Sequence, residues 1–131
     1  MTFKLFIAAT LFGLASGAAF AVELPTICTE NAMDHAMGAM GSSKMDMGDA
    51  AHNELMDGMG KMNADMMKGG TATDLDVAFV CAMLPHHQGA IDMATAELKN
   101  GDDKWARDLA QQIVTAQEAE IAAMLDWLAK Q

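Results

Sequence analysis

The sequence predicts an all-α protein, an antiparallel bundle of three to four helices that follows an N-terminal signal peptide. Three observations carry the prediction. No stretch alternates apolar and polar residues with period two over a useful length, Tyr is absent, and Val and Ile are sparse, so strands have no support. Three stretches repeat apolar residues at helical spacing, each with a capping residue before it. The loops between them are short, which forces neighbouring helices to run antiparallel.

The chain opens with MTFKLFIAATLFGLASGAAFA, in which Lys4 precedes an apolar run that ends in Ala19-Phe20-Ala21. A basic start, a short apolar core and an A-x-A end read as a secretory signal over residues 1–21, too short for a bilayer span. The expected mature chain of about 110 residues starts near Val22 and suffices for one domain. Export to the periplasm or beyond follows as the expected localisation. No second apolar segment approaches membrane length, so no stable membrane anchoring is expected.

Residues 22–48 read as a Met-rich arm of Gly, Ser, Asp and Met, with a marginal helix around residues 32–40 where Met33, Met37 and Met40 recur. The bundle proper is expected over 49–131. Asp49 is a fitting N-cap for a first helix, AHNELMDGMGKMNADMMK, that ends at Gly69-Gly70. Thr73-x-x-Asp76 resembles a capping box and opens a second helix to about Lys99. Asn100-Gly101 stops that helix, Asp102 or Asp103 caps a third, and Trp105 to Lys130 completes the chain. The arm would supply a partial fourth member, or two protomers would complete each other as a homodimer.

Charge narrows the partners. A formal net charge of −10 makes nucleic acid and anionic lipid poor partners and draws cations in. Methionine narrows them further. Ten of the 14 lie between Met33 and Met67, where Leu55 is the sole other large apolar residue. Flexible thioethers are ordinary core filler one at a time, but filler does not explain the near absence of Leu, Ile and Phe across such a stretch.

On the second helix Phe79, Met83, His86, Ala90 and Met93 fall within an arc of roughly 80°, with His87 beside Met83. Pro85 is expected to kink that helix where the histidines sit. The first helix repeats the theme with His52, Met56, Met59, Met62 and Met66 over roughly 120°, which makes its core-facing stripe methionine. On the third, Gln117 and Glu120 interrupt an apolar stripe of Leu109, Ile113, Met124 and Leu128 and would orient a histidine ring from behind.

Thioether with imidazole suits copper: Cu(I) and Ag(I) through sulfur, Cu(II) through nitrogen. Structural zinc pairs, EF-hand spacing and the Glu-x-x-His of di-iron bundles are all missing from the sequence. Three functions remain open: a copper-sequestering or copper-passing protein, with a possible transfer partner; a metal-dependent hydrolase or redox enzyme built on His86 and His87 with Glu120 as acid or base; and a structural adaptor with a Met-rich grip. Cys28 and Cys81 are the two cysteines, and an exported chain favours a disulfide between them, with thiolate ligation of a soft metal as the rival.

Residues 74–128, above all DLDVAFVCAMLPHHQGAIDMA followed by AQEAEIAAMLDWL, resemble the bacterial family known as domain of unknown function 305. The resemblance implies a ferritin-like helical bundle, often exported, with relatives of the CopM type that bind copper and support copper tolerance. It points to Met83, His86, His87, Met93 and Met124 as the positions to watch. Cys81 departs from the family's usual pattern, which supports a disulfide to Cys28 particular to this chain.

Overall fold

A computed structural model describes residues 22–29 and 48–131. The expected signal segment and the methionines at 33, 37, 40, 45 and 47 lie outside them, as does the helix expected around residues 32–40. The described residues are helical throughout their regular structure: a 3-10 turn at Thr26–Cys28, then α1 (Ala50–Asp57), α2 (Met59–Gly69), α3 (Leu75–Asn100) and α4 (Lys104–Leu128). Three helical arms pack together, the first of them broken.

That break is a correction. The single first helix expected from Asp49 is two segments, parted at Gly58, which sits at φ −74° and ψ −19° as the end of one and the start of the next. Glycine gives a helix no side-chain support and weakens it by about 1 kcal/mol relative to alanine, so the break falls where propensity is lowest. Asp49 caps α1 as its sequence suggests, accepting from the His52 N–H at 3.0 Å. Asp74, one residue beyond the expected Thr73, is the cap of α3, its carboxylate accepting from the N–H groups of Asp76 and Val77 at 3.0 Å each. Asp103 caps α4 by accepting from Ala106 at 2.9 Å.

α3 is the middle of the molecule, with α2 and α1 along one flank and α4 along the other. It continues as a helix through Pro85. Proline has no N–H to donate back to the Cys81 carbonyl. Gly69 of α2 lies directly against that carbonyl, where a Cβ would collide with backbone. At the far end of α3, Arg107 reaches back from α4 and donates to the carbonyls of Leu98 at 2.6 Å and Gly101 at 3.0 Å. Two of the carbonyls at this helix end therefore accept from one guanidinium.

The core gathers Val77, Cys81 and Leu84 of α3 with Ile121 and Leu128 of α4 and Cys28 from the N-terminal segment. Leu84, Cys28 and Cys81 are fully buried. Residues 22–28 add Val22, Leu24 and Ile27 to this cluster, so the described part of the expected arm is a cover on the core. Cys28 and Cys81 are joined as a disulfide, S–S 2.06 Å, across 53 residues of sequence. A loop of that length stabilises the folded chain by about 4 kcal/mol on the chain-entropy account.

Candidate functional site

Adjacent helical residues point about 100° apart, so two neighbouring histidines cannot do the same job. His87 turns toward α4. Its Nε2 lies 2.6 Å from Glu120 Oε2 and its Nδ1 lies 2.8 Å from the Met83 carbonyl oxygen. A carbonyl can only accept, so Nδ1 carries a proton, and a single further proton joins Nε2 to the carboxylate. Both ring nitrogens are engaged, in a side chain 12% exposed. Glu120 thus partners a histidine ring as its place in the apolar stripe suggests, while no hydrogen bond joins Gln117 to either histidine.

His86 turns outward. It stands on the exposed side of α3 with Leu75, Phe79 and Met93, at 82%, 64% and 39% exposure for those three. Met83 and Ala90 on the same side are half-buried. The imidazole and thioether groups do share one face, and that face is turned to solvent. The His86 and His87 ring centroids are 5.7 Å apart at an interplanar angle of 65°.

α2 supplies sulfur to the edge of this face. Met62 lies over Gly89, its sulfur occupying the space a Cβ would need. His86 and Met93 are the i−3 and i+4 neighbours of Gly89, so all three adjoin on the helix surface. Gly69 against Cys81, Met62 against Gly89 and Gly58 against Asp92 set the register of the two helices. One turn either way along α2, Met66 comes level with Pro85 and His86, and Met59 with Asp92 and Met93. Met56, Met59, Met62 and Met66 are all half-buried, none of them core. His52 does not join them: it is exposed, with Nδ1 2.6 Å from Asp49 Oδ2. On the opposite flank Met124 packs against the core cluster, one helical turn beyond Glu120.

The role of Gly89 escaped sequence reasoning. Its signal was a glycine inside a strong helix pattern, which marks a close approach without naming what approaches. Among the described residues no three His, Cys, Asp or Glu side chains converge on one point. An ion held here would therefore draw on thioether sulfur, and the cysteines, being bridged, offer no thiolate.

Fold and site define an all-helical bundle that carries a histidine and methionine surface on its central helix. The chain belongs to the family described as domain of unknown function (DUF305), which it matches over residues 20–128. That match extends well before Asp74 and takes in Cys28 and the methionines that precede Asp49. No curated protein matches the chain.

Proposed function

We propose that this protein is an exported metal binder that sequesters copper or passes it on, taking Cu(I), and Ag(I) in its place, through thioether sulfur, and Cu(II) through imidazole. The observation that carries the reading is the Met62 sulfur seated on Gly89 between His86 and Met93. Soft sulfur beside imidazole on an accessible face fits a soft ion that must arrive and leave. His86 is the imidazole free to bind first. His87 would enter the coordination only by giving up the proton it shares with Glu120, and the freed carboxylate would then lie beside the ion.

The other methionines between residues 33 and 67 would add capacity of lower affinity. An acidic chain raises the local concentration of any cation without selecting among them, so selectivity rests on the sulfur. No helix of the described residues is long and apolar enough to cross a membrane.

The test is a competition titration of the mature chain with Cu(I), Ag(I), Cu(II) and Zn(II). Cu(I) and Ag(I) should bind more tightly than Zn(II), and His86→Ala with His87→Ala should abolish the tightest Cu(II) binding while much of the Cu(I) capacity persists. Zinc binding as tight as Cu(I) would overturn the reading.

A further inference from the structure

We infer that two copies of this chain pair through the outward face of α3, antiparallel about a two-fold axis that crosses the helix near Leu84 and Pro85. Leu75 and Phe79 are large apolar side chains left 82% and 64% exposed on the same face as Met83, His86, Ala90 and Met93. A strip of that kind along most of a long helix marks an interaction surface.

Two observations select a second copy as its occupant. The first is charge. From Val77 to Ile91 the chain has no Asp, Glu, Lys or Arg, in a protein whose formal net charge is −10. Two copies repel each other over most of their surface, and the middle of this face, between Asp76 and Asp92, is where they can approach without that repulsion. The second is shape. An isologous contact must be complementary to itself. With the axis at Leu84 and Pro85, Phe79 meets the partner's Ala90, large against small, and Leu75 meets the partner's Met93. Met83 then faces the partner's His86, so the axis gathers one His86 and one Met83 from each copy.

The pairing therefore deepens the copper reading, since it assembles an imidazole and thioether site that one copy holds only in half. It rests on that reading for the ion alone. The apolar contact stands without it.

Sedimentation equilibrium of the mature chain, metal-free and with Ag(I), should give a dimer at tens of micromolar protein. Phe79→Glu should give a monomer of unchanged helicity, because Phe79 is 64% exposed and stands outside the core cluster. Leu75→Cys combined with Met93→Cys should be joined into covalent dimers by a short bismaleimide, and Leu75→Cys alone should not. A monomeric parent in both conditions would overturn the inference, as would a Phe79→Glu variant that remains dimeric. A dimer that binds no copper would support the pairing and overturn the proposed function, whereas a copper-binding monomer would do the reverse.

Discussion

Along one flank α3 meets α4 through Leu84, Ile121, Leu128 and the His87–Glu120 hydrogen bond; along the other it meets α2 through two glycines and a methionine. The first seam is filled with branched side chains that have few comfortable rotamers, and it is closed by a charge-assisted bond of 2.6 Å. The second brings two backbones close at Gly69 and lays the Met62 thioether over Gly89, a side chain that bends to fit whatever space is left. One seam specifies the fold. Under the proposed function, the other would rearrange around an ion without unfolding the first.

Leu84→Ala should show the largest effect, a loss of about 2–5 kcal/mol in denaturant unfolding, because the side chain is fully buried in the aliphatic seam. Gly69→Ala should cost about 1–3 kcal/mol, since its new methyl meets the rigid backbone of α3 at Cys81. Gly89→Ala provides the contrast. Its methyl meets only the flexible end of Met62, and alanine is the better helix former by about 1 kcal/mol, so stability should stay within about 1 kcal/mol of the parent. Cu(I) affinity, read by competition with a chromophoric chelator, should nonetheless fall as the Met62 sulfur is pushed off Gly89. Unchanged affinity there would remove Met62 from the site.

Replacing Met56, Met59, Met62 and Met66 by leucine conserves volume closely enough to keep the helices, at under about 1.5 kcal/mol for each swap. It should lower the number of Cu(I) ions bound per chain at constant helicity. If leucine at all four positions leaves Cu(I) uptake intact, the second seam is packing and nothing more.

Acid should separate the seams most gently. The Glu54 carboxyl is held below its ordinary value, first by its hydrogen bond from Lys99 and then by that from Asn100, and the Asp49 carboxyl is held low first by the His52 N–H. A carboxyl whose folded pKa is lowered adds stability above its unfolded value, about 4.3 for Glu, and loses it as pH falls through the folded one. Amide protection in α1 should therefore decline below about pH 4.3 while α3 and α4 keep theirs. Lys99→Ala should remove the larger share of the Glu54 part of that decline, leaving the share held by Asn100.

Much of this contrast was legible beforehand. The caps Asp49 and Asp103 are local chemistry, readable because a carboxylate needs only the next turn to act. Asp74 takes the cap expected of Thr73 because both are residue types that cap a helix, and spacing alone does not rank two such neighbours. Periodicity placed Phe79, Met83, His86, Ala90 and Met93 together. It could not say that the shared face looks outward, since a stripe reads the same from either side. The two glycine contacts were hidden for a different reason: a glycine has no side chain to betray its partner, and the partner lies about 12 to 27 residues away in sequence. Helix-breaking sterics put an expected kink at Pro85, and α3 runs as a helix through that residue beside the close approach of Gly69.

The sulfur bridge gives the chain a covalent ring that runs from Cys28 through α1 and α2 to Cys81. A single protease cut within that ring, for instance at Lys44 in the methionine-rich stretch, yields two pieces that stay tethered. On a non-reducing gel the nicked protein should migrate as one band and on a reducing gel as two. Wounded in that stretch, the molecule would keep its N-terminal cover on the core, and under the proposed export its fold would outlive the first cut of an outside protease.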